Sequence, residues 1–182
     1  MNRFHFKENF FGSSTKPIDV FNQYEEPVYK LSLYYTSTHQ ETFAILGRKK
    51  HNFIIEFQGG NYSVLQEKSL EGKLKTPFKT VWEVFKNDKK IGVVETKIGW
   101  KPKMIFKGIN NDELVFESGF ISRSVRVTNQ RNQVLMETKS ERFKIASNHQ
   151  IDIQTNDYHP AMLIMLFQVF FEYQEYQRSK SN

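Results

Sequence analysis

The sequence predicts an all-β protein with one long helix: a closed antiparallel barrel of about twelve strands around a buried hydrophobic C-terminal α-helix. Three observations predict it. Residues 160–176 read PAMLIMLFQVFFEYQEY, and Gln168 is the one polar residue between Ala161 and Phe171. A helix apolar on every side must be buried on every side. At about 1.5 Å per residue the run reaches only roughly 16 Å, well short of the ~30 Å that a membrane-spanning helix crosses. Short alternating apolar runs, separated by turn residues, fill the chain before it. Finally, 17 Phe and 8 Tyr in 182 residues supply strand formers and bulky core fillers. The helix needs an apolar container, and the strands need to hide their edges. Closing the strands around the helix meets both demands.

The elements follow in order. Residues 4–10 open the chain as a short strand, and 18–21 form the next, before the turn residues Asn22 and Gln23. Residues 28–35 put Tyr29, Leu31, Leu33 and Tyr35 on one face. Strands at 42–46 and 52–58 follow, the latter alternating Phe53, Ile55 and Phe57, and Gly59-Gly60 turns the chain into 62–66. A polar loop, 68–76, carries Gly72. Residues 78–85 then alternate Phe78, Thr80, Trp82 and Val84 against charged neighbours, and Asn87-Asp88-Lys89-Lys90 turns into 91–97. Strands at 104–109, 114–117, 122–128, 134–139, 142–145 and 150–154 complete the set, with turns at Asn110-Asn111-Asp112 and Asn129-Gln130-Arg131-Asn132. Thr155, Asn156 and Asp157 supply capping groups, and Pro160 suits the first helical position. The helix is expected over about 160–177. Beyond Phe171 it becomes amphipathic and emerges into solvent, with a frayed tail. The whole chain, 1–182, reads as one domain.

A weak internal repeat supports hairpins as the building unit. VFKNDKKIGVVETK (84–97) lies over VTNQRNQVLMETK (127–139), with one residue of slack in the turn and a shared Glu-Thr-Lys ending. VFNQYEEPVYK (20–30) has the same strand, Asn-containing turn and strand. Units this few and this unevenly spaced do not make a solenoid or a propeller.

The strand-turn-strand units at 83–97 and 127–145, followed by HPAMLIMLFQVFFEYQ (159–174), resemble the tubby-like superfamily: tubby C-terminal domains, LURP-one-related proteins and phospholipid scramblases. The resemblance spans nearly the whole chain and is best from Phe78 onward. It implies a twelve-stranded antiparallel barrel around a central hydrophobic helix. For function it implies contact with lipid, since tubby domains bind phosphoinositides through basic side chains and scramblases act at membranes; the expected domain is non-catalytic. The Cys-rich and Pro-rich segments expected upstream of a scramblase are missing here, so the chain looks like the small single-domain relatives.

Composition narrows the classes further. The chain has no Cys, which excludes disulfides, thiolate metal sites and a Cys nucleophile. The first residues mix charges among aromatics and lack the apolar core of a secretory signal, so the expected start is at or near Met1, in the cytoplasm. The net charge is +6, which favours weak attraction to polyanions; many cytosolic domains are equally basic.

Residues 73–107 hold ten lysines against Glu83, Asp88 and Glu95. The sharpest basic cluster is Trp100-Lys101-Pro102-Lys103, with Lys97 and Lys107 nearby. An aromatic ring beside ammonium groups suits a lipid headgroup boundary, although a solvated lysine face is the commoner arrangement. Arg48-Lys49-Lys50-His51 forms a second basic turn, of the kind that ordinarily protects strand edges or solubility. Together the two clusters would make an anion site if the fold brought them side by side. The expected partner is an anionic membrane lipid or phosphate-bearing ligand, with peripheral attachment to the membrane. The alternative is a soluble protein-interaction or structural domain with an unidentified protein partner and no lipid. Nucleic acid ranks lower, because the aromatics fall on the strand face that packs on the helix.

Signals for catalysis, cofactors and metal are poor. His5, His39, His51, His149 and His159 lack metal-ligand spacing, Ser13-Ser14 is no nucleophile elbow, and no glycine loop cradles phosphate. Neither a cofactor nor a metal is expected. His159 and Asp157 are expected to cap the helix. Glu95 and Glu137 share a repeat position but read as strand-surface glutamates. Gln168 is expected to hydrogen-bond to a barrel carbonyl.

Overall fold

The computed structural model describes residues 1–8, 15–36, 52–66, 80–97, 101–119, 124–142 and 147–180. The strands are β1 (Asn2–Glu8), β2 (Ile18–Asn22), β3 (Pro27–Tyr34), β4 (Asn52–Phe57), β5 (Gly60–Gln66), β6 (Val81–Lys86), β7 (Lys89–Lys97), β8 (Lys103–Gly108), β9 (Glu113–Ser118), β10 (Val125–Asn129), β11 (Val134–Arg142) and β12 (Ser147–Ile153), and the helix is α1 (Pro160–Lys180). Each strand pairs antiparallel with its neighbours in sequence, and β1 closes on β12 from Asn2↔Ile153 to Glu8↔Ser147. The expected twelve-stranded closed barrel is the observed one. The strands expected at 42–46 and at 143–145 lie outside the described residues, whereas Arg142 is the last residue of β11.

Alternation decides what points inward. Leu31 and Leu33, Phe53 and Ile55, Trp82 and Val84, and Met104 and Phe106 are all buried, while Ser32, Ile54 and Glu83 between the first three pairs are only half-buried. The buried pairs pack around α1, whose residues from Ala161 to Phe171 are each at most 5 % exposed. A helix apolar all round simply has no face to give to water. Gly92 faces the same interior and is required there, because a Cβ would lie 2.5 Å from the Lys107 carbonyl and 2.6 Å from the Phe106 ring.

The repeat seen in the sequence is a bulged hairpin. The register shifts between Val20 and Phe21, between Val84 and Phe85, and between Val127 and Thr128, the same place in each unit. In two of them an Asn closes the turn with its side chain. Asn22 Oδ1 accepts from Tyr24 N and Glu26 N at 2.9 and 3.0 Å, and Asn129 Oδ1 accepts from Arg131 N and Gln133 N at 2.9 and 3.1 Å. The third turn holds Asn87 and Asp88 at φ 48° and 63°, the left-handed pair that a two-residue hairpin demands.

Because neighbours alternate in direction, successive connections alternate between opposite ends of the barrel. Short turns after β2, β4, β6, β8 and β10, with the entry into α1, occupy one end. The connections after β1, β3, β5, β7, β9 and β11 belong to the other, the end where α1 finishes.

Candidate functional site

Of the predicted basic residues that the structure describes, Lys97, Lys101 and Lys103 fall at or near the helix-exit end, and Lys107, beside the β8–β9 turn, lies toward the opposite end. Lys97 ends β7, Lys101 precedes β8, and Lys103 and Lys107 point outward from β8. Trp100, Arg48, Lys49 and Lys50 lie outside the described residues. The connection that contains Arg48-Lys49-Lys50 joins β3 to β4, and that of Trp100 and Lys101 joins β7 to β8, so both belong to one end, four strands apart around the ring.

Three of the four described lysines are held by acids. Glu95 Oε1 is 2.8 Å from Lys107 Nζ and 3.1 Å from Lys97 Nζ. Partial burial pushes the Glu95 carboxyl up, but the hydrogen-bonded ammonium groups of Lys107 and Lys97 outweigh it and hold the pKa at about 2. The same contact raises that of Lys107. Lys103 Nζ lies 2.7 Å from Glu117. Lys101 is exposed and has no acid partner among the described residues.

Lys103 starts a belt that sequence spacing did not reveal. In register across five adjacent strand pairs stand Lys103↔Glu117, Glu117↔Arg126, Arg126↔Glu137, Glu137↔Asp152 and Asp152↔Arg3. Ion pairs close it at Arg126–Glu137, 3.0 Å, and Arg3–Asp152, 2.7 Å. Glu137 therefore serves the outer wall, as Glu95 does, and the two form no carboxylate pair. A groove of about 760 Å³ lies over this belt, running from Lys101, Pro102 and Lys103 to Lys139 and Asp152. Its volume is in the range of small-molecule sites.

Inside the same end of the barrel lies a polar chain that was also missed. Gln168 Nε2 on α1 donates to Glu8 Oε1 at 3.2 Å, a side-chain carboxylate rather than the backbone carbonyl expected. Glu8 Oε2 is 3.2 Å from His149 Nε2, and His149 Nδ1 is 2.9 Å from Ser140 Oγ. A neutral imidazole fits this chain, with Nε2–H donating to Glu8 and Nδ1 accepting from Ser140. Burial pushes the His149 pKa down to about 3, against a weaker upward pull from Glu172. Hydroxyl, imidazole and carboxylate have the order of a hydrolase triad. The imidazole, however, has no exposed surface and packs on the rings of Phe6, Phe167 and Phe171. Without access to a substrate, the chain ties α1 to β1, β11 and β12.

At the opposite end His159 caps α1 as expected. Its Nδ1 accepts from Ala161 N at 3.2 Å, and its ring sits among Phe57, Tyr62 and Tyr29. Among the described residues no group of His, Asp and Glu could hold a metal ion, and no helix is long and apolar enough to cross a membrane.

Fold and site together define a class: a closed barrel threaded by its own C-terminal helix, with a charged outer wall. The chain belongs to the family described as Tubby C-terminal like domain, whose model matches residues 4–173. Tubby-like domains bind phosphoinositides, and the family is generally non-catalytic. No curated protein and no solved structure matches the chain.

Proposed function

We propose that this protein is a single, non-catalytic tubby-like domain that binds anionic phospholipid headgroups at a membrane surface, through the basic loops at the helix-exit end. The observation that carries the reading is a polarity of charge along the barrel axis. The six connections at the helix-exit end hold eleven Lys and Arg against three Asp and Glu; the six at the opposite end hold one Arg against five acids. Lys86, Lys89 and Lys90 flank Asp88 at that opposite end, so its field is mixed, but the excess of positive charge belongs to the other. Each Lys or Arg near an anionic bilayer contributes about 1 kcal/mol of attraction, lost within a Debye length. An end with this excess turns toward the bilayer.

In this reading Lys101, without an acid partner, carries the described part of the contact, and Trp100, Arg48, Lys49 and Lys50 extend it along the loops. Lys97, Lys103 and Lys107 contribute less, because Glu95 and Glu117 already hold them. The protein would be cytoplasmic and peripheral at the membrane.

Co-sedimentation with neutral and anionic vesicles, at low and moderate salt, tests the proposal. Pelleting with anionic vesicles that weakens with salt, and weakens further in Lys101→Ala/Lys103→Ala, is the expected result. Equal and negligible pelleting in every condition would favour the second reading, a protein-interaction domain. Tyr24 and Ile109, 72 % and 61 % exposed on turns at the end opposite the basic loops, support that reading.

A further inference from the structure

We infer that the last turns of α1, from Glu172 to Lys180, form a latch that opens by local unwinding while Ala161–Phe171 stays in the core, and that an anionic bilayer takes up the opened form. The second half rests on the membrane reading. Among the described residues, the buried side-chain atoms without a hydrogen-bond partner gather at the helix-exit end, with Gln66 Oε1, Ser118 Oγ, Gln168 Oε1 and both polar atoms of the Gln174 amide among them. Gln174 is the extreme case, a fully buried amide with no partner for either atom. The fold sets it level with a second such group. Phe170 packs on Phe116 of β9, ring centroids 6.2 Å apart. One helical turn on from Phe170 stands Gln174, and two residues on from Phe116, also buried, stands Ser118. α1 and β9 run toward the same end, and the two steps cover about 5 to 7 Å each, so both groups reach the mouth of the barrel together. A buried amide left unbonded destabilises the closed state, and water satisfies it once the helix end unwinds. The apolar run before it has the opposite preference, which sets the boundary at Phe171. Tyr173, hydrogen-bonded to Thr96 and Gln177, holds the latch against the wall. Once free, Tyr173 and Tyr176 offer the amphipathic rings that settle at a membrane–water interface.

Hydrogen exchange of the whole protein tests the latch. Amides 175–180 should exchange by local opening, well before those of 165–171. Gln174→Met keeps the length of the side chain and the net charge of the protein, and removes both unbonded atoms. It should raise the melting temperature and slow exchange at 175–180 about tenfold, the size expected of one unsatisfied buried group. Unchanged exchange in Gln174→Met, or a lower melting temperature, overturns the latch. Vesicles of phosphatidylserine and phosphatidylcholine test the uptake. A bilayer that binds the opened form loses affinity in proportion as that form becomes rarer, so Gln174→Met should pellet with the anionic vesicles about tenfold more weakly than the wild type. A variant that pellets like the wild type overturns the uptake and leaves the electrostatic membrane reading standing, since the charge is the same. Slowed exchange in Gln174→Met would uphold the latch even if the wild type pelleted with no vesicle, the result that would sink the membrane reading by itself.

Discussion

His149 departs furthest from its ordinary chemistry. Its folded-state pKa of about 3 lies below the usual 6.5, chiefly because burial penalises the imidazolium. The unfolded chain therefore binds a proton that the folded protein refuses, over the whole interval between these values. Stability from this group is complete above about pH 6.5 and is lost as pH falls toward 3, at up to about 1.4 kcal/mol per pH unit. Glu95, held at about 2, contributes a separate loss below its ordinary 4.5. Between pH 6.5 and 4.5 the histidines dominate, with a smaller share from His159, whose pKa is also lowered by burial. Denaturant melts across that interval should show stability falling with acidity in the wild type and a flatter profile in His149→Gln; equal slopes would remove His149 as the cause. None of this was legible in the sequence. The strand expected at 150–154 begins one residue after His149, whose partners Glu8 and Ser140 come from β1 and β11, so only closure of the barrel makes them neighbours. Gln168 stood out as a lone polar residue in an apolar run, yet nothing local pointed to Glu8, 160 residues away. The lysine clusters were visible for the opposite reason, since charge shows in composition. Their acid partners were not, because Glu95 and Glu117 reach them through strand geometry and register.

At the scale of elements the sequence is far more informative, because the physics is local. Alternation of Phe53 and Ile55, or of Trp82 and Val84, is a direct consequence of strand geometry, and the Asn-containing turns follow from left-handed backbone positions. The bulge after Val20, Val84 and Val127 recurs at the same place in all three units. Of the strand expected at 142–145, Arg142 belongs to β11, which runs without a break through Ser140, and 143–145 lie outside the described residues. For α1 the decisive feature is the all-round apolar surface. Phe167 is fully buried and meets Phe6, His149 and Phe171. Phe167→Asp should abolish cooperative folding, since it leaves an uncompensated charge in the core. Phe167→Leu keeps the site apolar and should melt cooperatively, with a loss of roughly 1–2 kcal/mol. A soluble, cooperatively melting Phe167→Asp protein would overturn the role given to the helix.

For the whole molecule, closure does more than cover strand edges. A meander of alternating strands sends every second connection to the same end, so two sets of loops meet different surroundings. Here one set holds most of the turn chemistry, and the other, which includes the three longest connections, holds most of the excess positive charge. On the proposed membrane-binding reading, the barrel axis points along the membrane normal, with the C-terminal end of α1 toward the lipid. Because the chain has no Cys, a single engineered thiol can report on each end. Thr15, exposed just before β2 at the helix-exit end, and Asn156, exposed before α1 at the other, are suitable positions. With an environment-sensitive dye attached, Thr15→Cys should shift to the blue on addition of anionic vesicles, and Asn156→Cys should not. Moderate salt should abolish the first shift, because the attraction acts between exposed charges and is screened. A shift at both positions would mean that the barrel lies on its side, and a shift at Asn156→Cys alone would place the exposed Tyr24 and Ile109 turns against the lipid instead.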